Sequence, residues 1–494
     1  MRQCLTNPDG GYYTTARPSS EEADQFGKAG DFITSPEISQ IFGELVGIWF
    51  MTEWMAQGRP RQGVQFIEMG PGRGTLMSDI LRTIGQFGTF AQAIQAVWLV
   101  EAGEGLRHKQ KQLLCGPDAE MKEVRDPTGK NVWWEATSNQ GIPVRWVEDI
   151  VLLPKPGEGG VDKNLEMPFI IAHEFFDALP IHAFESVAPK PEDTPSEDAT
   201  AQLLGGDKSG EHRPKPSTAT KLPQWRELLV APTTPRFSIP SPAETQRRDS
   251  HKDPEPEFQL TLAKASTPSS LVIPERPRYR ALKSQVSSRV EISPESARYV
   301  QDFARRIGGD ASVTPANATS KPGSSKTGPK PAGAALIIDY GPLETVPVDS
   351  LRAIRKHKII SPFVYAGDAD ISADVDFGAL ADAALEASLG VEVHGPVEQG
   401  MWLTQLGIQE RANRLAKELE KKKSRGGATA EEKLELDEAE ELEMQSKKRE
   451  LEMGWRRLVE PGPKGMGKAY KVMAVLPENG GRRRPVGFGG GVVG

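Results

Sequence analysis

The chain has 494 residues, with 49 glycines, 40 prolines and a hydrophobic fraction of 37%. That is length for about three domains, or for one large domain carrying long insertions, and the Gly and Pro load predicts that a substantial part stays outside the core. The net charge of −7 argues against a global attraction to nucleic acid or to an anionic membrane. Cys4 and Cys115 are the only cysteines and the seven histidines lack metal-ligand spacing, which excludes a disulfide scaffold and a cysteine-rich zinc site and leaves no predicted metal. No apolar run approaches the ~18 residues of a membrane span, and the N-terminal residues lack the apolar stretch of a signal peptide.

In chain order, residues 1–60 read as a helical segment packing on the main domain. Ser35 is predicted as N-cap and Pro36 as the first turn of a helix to about Ala56, with Ile38, Ile41, Phe42, Leu45, Ile48 and Trp49 on its apolar face. Asp31 and Thr34 stand just ahead of it as candidate ligand contacts. Residues 61–186 are predicted as the first part of an α/β domain: a strand from Val64, a glycine turn, a helix over about 75–84, strands over 96–101 and 144–149, and an apolar strand over 168–172. Residues 187–333 read as a Pro-rich insertion, since positions 189–331 hold 20 of the prolines. Within it, short strands are expected at 225–230, 258–262 and 290–292, followed by a helix over 293–307.

The second part of the domain, 334–408, opens on the buried-strand pattern 334–340. A charged helical insertion follows at 409–453, broken at Gly426-Gly427. Residues 454–478 contain a last strand at 470–475, and 479–494 read as a disordered tail. Asp368, Asp370, Asp374 and Asp376 read as a solvated acidic loop, because a calcium loop needs a central glycine and a terminal glutamate. The sequon at Asn317 is taken as a chance match.

The glycine turn carries the most chemistry. Val64 to Gly74 reads VQFIEMGPGRG: Glu68, then Gly70, Gly72 and Gly74 between a strand and a helix. Glycines there let the chain bend sharply and let a ligand approach the backbone. The dinucleotide fingerprint spaces its third glycine differently and has an acid about 20 residues on, whereas Glu101, which ends the next strand, lies 31 residues beyond Gly70. A phosphate loop needs Gly-Lys-Ser/Thr, and Gly74 is followed by Thr75 and Leu76.

An acid before G-x-G-x-G and an acid ending the next strand resemble the cofactor motif of class I S-adenosylmethionine-dependent methyltransferases, a Rossmann-like sheet with helices on both faces. That resemblance implies that Glu68, Gly70, Gly72, Gly74 and Glu101 bind S-adenosylmethionine, with Glu101 on the ribose hydroxyls and Asp149 or Glu148 beside the adenine amine. Downstream, "PFIIAHEFFDALP" runs an apolar strand into His173, Glu174, Phe175, Phe176 and Asp177. In doubly wound sheets ligands sit at such strand ends.

The blocks "GDFITSPEISQIFGELVGIW", "FIEMGPGRGTLMSDILR", "HEFFDALPIHAF", "IIDYG" and "DADISADVDFGAL" then resemble, in order, those of the MidA-like family, mitochondrial protein arginine methyltransferases that assist assembly of respiratory complex I. The resemblance implies a mitochondrial enzyme whose partner is a protein substrate, a complex I subunit, and which makes symmetric dimethylarginine. It also implies more chain ahead of Met1, where a transit peptide would lie. The family usually has Asn at the position of His173, and Thr and His where Ser372 and Asp374 stand.

A guanidinium stays protonated (pKa above about 12), so acceptor and sulfonium donor are both cations and need carboxylates between them. Glu174 is expected to hold the guanidinium, and Asp177 to assist or to accept the proton released. Two other classes compete with this reading: a non-catalytic complex I assembly chaperone that keeps the methyltransferase fold, and a nicotinamide-dependent oxidoreductase.

Overall fold

The computed structural model describes residues 1–15, 30–126, 129, 131–156, 166–188, 222–233, 255–310, 330–423 and 432–489. The Asn317 sequon and Gly426-Gly427 lie outside these residues. The chain forms two compact units, one of Met1–Pro180, Glu295–Thr345 and Leu351–Gly494, the other of Ile181–Pro294 and Val346–Ser350.

In the larger unit β1 (Val64–Met69), β2 (Ile94–Val100), β3 (Lys122–Arg125), β4 (Val132–Thr137), β5 (Pro143–Val147) and β6 (Met167–His173) come first. The smaller unit supplies β7 (His182–Val187), β8 (Gln224–Pro232), β9 (Phe258–Leu262) and β10 (Arg289–Ile292). The larger unit resumes with β11 (Ala334–Tyr340), β12 (Arg352–Arg355), β13 (Lys358–Ile360), β14 (Asp370–Ser372), β15 (Val391–Glu398) and β16 (Tyr470–Pro477).

A nine-stranded sheet runs β15-β16-β11-β6-β1-β2-β5-β4-β3. Its centre, β11-β6-β1-β2-β5, is parallel, and β16 runs antiparallel to both β11 and β15. Chain order reverses at β1, which has β2 on one side and β6 on the other. At such a switch point the connections leave in opposite directions and a crevice opens beyond the strand ends.

Both faces of the sheet are covered. Met167, Phe169 and Ile171 of β6 belong to one core cluster, with Trp49 and Phe50 of the helix Gln40–Ala56 and Ile80 of the helix Thr75–Ile84. Ile170 and Ala172 belong to the other, with Phe303 of the helix Pro294–Gly308 and Leu380 of the helix Phe377–Ala387. Burial on both faces explains why these strands read as unbroken apolar runs. The smaller unit has its own antiparallel sheet, β10-β7-β8-β9, over a cluster of Phe184, Trp225, Tyr279, Val290 and Ile292. The helix Pro294–Gly308, read from the sequence as part of the insertion, packs in the larger unit.

Two expectations are corrected. The helix predicted from Pro36 is two helices, Ser35–Ile38 and Gln40–Ala56, and Thr34 rather than Ser35 caps the first in a capping box with Glu37. Ser39 between them is extended (φ −157°, ψ 128°) and accepts from Ile41 N to cap the second; apolar periodicity does not register a one-residue break. The tail predicted to be disordered from 479 is folded up to 489. Phe488 is buried in the first core cluster, Trp49 Nε1 donates to Val486 O at 3.1 Å, and Arg483 pairs with buried Glu53. Composition counts the glycines of this segment but not the partners waiting for Arg483 and Phe488.

If the tail is part of the core, Phe488→Ala destabilises the protein by about 3 kcal/mol, the usual cost of removing a buried aromatic ring. Urea unfolding at equilibrium measures it, and a change under about 0.5 kcal/mol would contradict the burial of Phe488.

Candidate functional site

The site grows from the carboxyl ends of β1, β2, β5 and β6. After β1 the chain turns through Gly70 and Gly72, with φ +59° and +54°. A Cβ on Gly70 would also meet the Phe175 ring at 3.0 Å, so that position is closed to larger residues by strain and by contact. Gly74, expected at the cofactor, has φ +86°. It is not among the residues lining the cleft but is the left-handed N-cap of the helix Thr75–Ile84, where a Cβ would meet Gln110 Cγ at 3.3 Å.

Gln110, which sequence reasoning missed, ties this turn to the next strand. Its amide donates to Gly72 O at 2.7 Å and to Glu101 Oε2 at 3.2 Å, while Trp146 Nε1 donates to its oxygen. Glu101, directly after β2, also accepts from Gly103 N at 2.8 Å. Burial raises its pKa to about 7 against these hydrogen bonds. Glu68 is buried and raised to about 8 by burial and by the Glu101 charge; its Oε2 has no hydrogen-bond partner.

After β5, Glu148 pairs with Arg107 at 3.4 Å, and Asp149 accepts from Val151 N at 3.0 Å to cap a short turn. Arg107 also donates to Glu101 O and Ala102 O. Both acids line the cleft.

The end of β6 carries the acidic centre. Glu174 has a left-handed backbone, φ +49°, and its N–H donates to Ile338 O. Asp339 holds the turn that follows: its Oδ2 accepts from Phe176 N at 2.8 Å, Phe175 N at 3.1 Å and Asp177 N at 3.4 Å. Glu174 Oε1 accepts from Tyr470 Oη at 2.8 Å. Burial and the charges of Asp339 and Glu37 raise Glu174 to about 8. Asp177 is raised well above the usual range by burial and by Asp339, Asp370 and Glu174, with Arg352 opposing. His173 is buried and lowered to about 3 by desolvation, so it is neutral, 3.5 Å from Glu174 Oε1.

These groups line one cleft with a cavity volume of about 280 Å3. It brings together Thr34, Glu68, Gly70, Gly72, Glu101, Glu148, Asp149, His173, Glu174 and Asp177. Asp31 is not among the lining residues. It is buried where it accepts from Tyr12 Oη and Lys356 N, each at 2.8 Å. The acidic loop also departs from expectation: Asp370 is buried, lines the cleft and accepts from Tyr13 Oη at 2.7 Å, Asp374 pairs with Arg352, and Asp376 caps a helix. No sequence spacing could announce Asp370, because its partner lies 357 residues away.

A doubly wound sheet with a glycine turn after its first strand, an acid after its second and an acidic centre after the strand across the switch point defines a nucleoside-binding α/β enzyme of the Rossmann-like kind. Residues 45–397 match the family described as "Putative S-adenosyl-L-methionine-dependent methyltransferase", and the chain belongs to that family. Among curated proteins it is 30% identical to the Homo sapiens protein arginine methyltransferase NDUFAF7, mitochondrial, over 97% of this chain and 79% of that one. It is also 30% identical to the Drosophila melanogaster homolog, over 97% and 80%. A Burkholderia thailandensis crystal structure with S-adenosyl-homocysteine bound shares the fold, with a TM-score of 0.56 at 16% identity over 96% of this chain and 86% of that one. The protein is thus a methyl-transferring enzyme with S-adenosyl-L-methionine as cofactor and, like these curated relatives, mitochondrial.

Because Glu68 and Glu174 are raised to about 8 and Glu101 to about 7, the folded ligand-free protein binds more protons than the unfolded chain between about pH 4.5 and 8. Stability therefore falls as pH rises through that window. The melting temperature of the ligand-free protein should decline from pH 5 to 8, and Glu68→Gln should flatten the decline; an unchanged slope in that variant would refute the raised pKa of Glu68.

Proposed function

We propose that this chain methylates arginine side chains of a protein, that the substrate is a subunit of respiratory complex I whose assembly depends on it, and that the product is symmetric dimethylarginine. The activity in the names of the curated relatives supports the arginine assignment. The observation that carries it on this chain is the acidic centre: Glu174, Asp177 and Asp370 line one cleft, with the carboxylate of Asp339 directly behind them.

Buried carboxylates that repel one another suit a cationic ligand, because desolvated charges interact strongly and a bound cation relieves the repulsion. A guanidinium also presents paired N–H donors that match a carboxylate. The unpartnered Glu68 Oε2, the side-chain-free backbone at Gly70 and Gly72, and the Glu101 carboxylate fit a ligand with a cationic amino-acid end and a ribose. Glu68, Gly70 and Gly72 would hold the first, Glu101 the ribose hydroxyls and Asp149 the adenine amine, with Gly74 shaping the turn. When bound, S-adenosylmethionine supplies an electrophilic methyl group on a positively charged sulfur. Glu174 would hold the acceptor guanidinium in line with it, and Asp177, drawn into its carboxylate form by the cations beside it, would accept the proton released as the nitrogen is alkylated. Phe175, in the lining, and Phe176, buried beside it, keep water from the centre. Most of the acceleration comes from positioning.

Calorimetric titration with S-adenosylmethionine should show tight binding that weakens at least tenfold in Glu101→Ala, the loss expected for hydrogen bonds to a charged group; undiminished affinity would remove Glu101 from the cofactor site. Transfer of tritiated methyl from S-adenosylmethionine into dissociated complex I proteins should fall by at least about 100-fold in Glu174→Gln while cofactor affinity holds. Since the ionised form of Glu174 binds the cation, kcat/KM should fall as pH drops below about 8. Transfer that survives Glu174→Gln would reject the acceptor site. Complex I assembly that continues in that variant without transfer would instead identify an assembly chaperone.

A further inference from the structure

Behind Glu174, away from the cleft, stands a pair of tyrosines that the sequence does not connect. Tyr340 ends β11 and Tyr470 begins β16, and the antiparallel register places them directly opposite one another. Their ring centroids are 4.0 Å apart, their hydroxyls hydrogen-bond to each other, and Tyr470 Oη also reaches Glu174 Oε1 at 2.8 Å. Neither ring lines the cleft.

We propose that Tyr470, backed by Tyr340, is a positioning residue for methyl transfer: it fixes the orientation of the Glu174 carboxylate before the acceptor arrives. The inference rests on the reading of Glu174 as the acceptor-binding group.

A phenol has one proton to donate. With that of Tyr470 on Glu174, the proton between the two hydroxyls comes from Tyr340, so Tyr340 sets the direction in which Tyr470 donates. The groups facing Glu174 are then few. From the helix Ser35–Ile38 come the Ser35 N–H, which donates to the carboxylate, and the Glu37 charge. From the end of β6 come neutral His173 and Asp177. From β11 come Asp339 and Tyr340, and from β16 comes Tyr470.

Burial, Asp339 and Glu37 all favour the protonated acid, and the donors Tyr470 and Ser35 are what favour the carboxylate. Ser35 donates from the backbone, which leaves Tyr470 as the side chain that biases Glu174 toward its cation-binding form. A donor outside the cleft does this without occupying the face that the guanidinium needs. Such preorganisation costs no rearrangement when substrate binds.

The test is Tyr470→Phe, which removes one oxygen and keeps the ring, beside Tyr340→Phe, the double variant and Glu174→Gln. Glu174 ionisation is followed by infrared difference spectroscopy of its carboxyl band against Glu174→Gln, a readout that needs no substrate. In Tyr470→Phe the ionisation should move to higher pH, the acid limb of kcat/KM for dissociated complex I proteins should move with it, and kcat/KM at pH 7.5 should fall about tenfold. The dissociation constant for S-adenosylmethionine should not change. Tyr340→Phe should shift both curves in the same direction by less, and should add nothing in the Tyr470→Phe background, since it acts through that hydroxyl.

A wild-type titration curve and rate in Tyr470→Phe beside an inactive Glu174→Gln overturns the positioning role and leaves the acceptor site standing. Transfer that persists in Glu174→Gln overturns the acceptor site itself. Additive effects of the two tyrosines overturn the backing role of Tyr340.

Discussion

One buried carboxylate, Asp339 at the end of β11, organises the centre of this protein. It accepts from three successive backbone N–H groups, Phe175, Phe176 and Asp177, and from Tyr340 N on its other oxygen. A run of N–H groups wrapped around an anion is a strong and directional arrangement. It stabilises the tight turn at which Glu174 adopts a left-handed backbone, a conformation that a non-glycine residue keeps only where its surroundings enforce it. From that turn the Glu174 and Asp177 side chains enter the cleft, and Phe175 closes over Gly70. The glycine turn and the acidic centre are therefore neighbours across the switch point of the sheet, through the β1–β6 pairing and the Phe175 ring at Gly70.

Around that centre the protein concentrates charge of one sign. Glu68, Glu101, Glu174, Asp177, Asp339 and Asp370 all have raised pKa values, and burial is the largest cause in each case. Such a cluster is unfavourable in the ligand-free protein, and strained titration of this kind marks functional sites. Positive charge entering such a cluster would relieve its repulsion. The energy that sustains the strain comes from the sheet beneath, whose strands are buried on both faces by helices.

Much of this was legible in the chain. The glycine turn between an apolar strand and a helix, and the acid that closes the next strand, are local patterns whose meaning depends on spacing of a few residues. β6 and its charged end could be located because an apolar run marks a buried strand and ligands sit at the carboxyl ends of such strands in doubly wound sheets. The helix break at Ser39, the folded tail and the pairing of Asp370 with Tyr13 were not legible. Each depends on a contact that sequence distance hides: Phe488 finds the core beside Trp49, and Tyr13 donates to a carboxylate at the far end of the chain.

The sequence by itself determined the class of the sheet, the position of the glycine turn and the identity of the acids at its strand ends, because strand periodicity, glycine conformation and side-chain charge are properties of neighbouring residues. Only the tertiary structure decided how those acids behave. Gly74 caps a helix, Asp31 is held by Tyr12 and Lys356, and Asp339, Tyr340, Tyr470 and Gln110 entered as supports, since strand register and helix packing join residues far apart in the chain, such as Tyr470 and Glu174, 296 positions apart. Burial then set the protonation of each acid, and burial is a property of the folded chain alone.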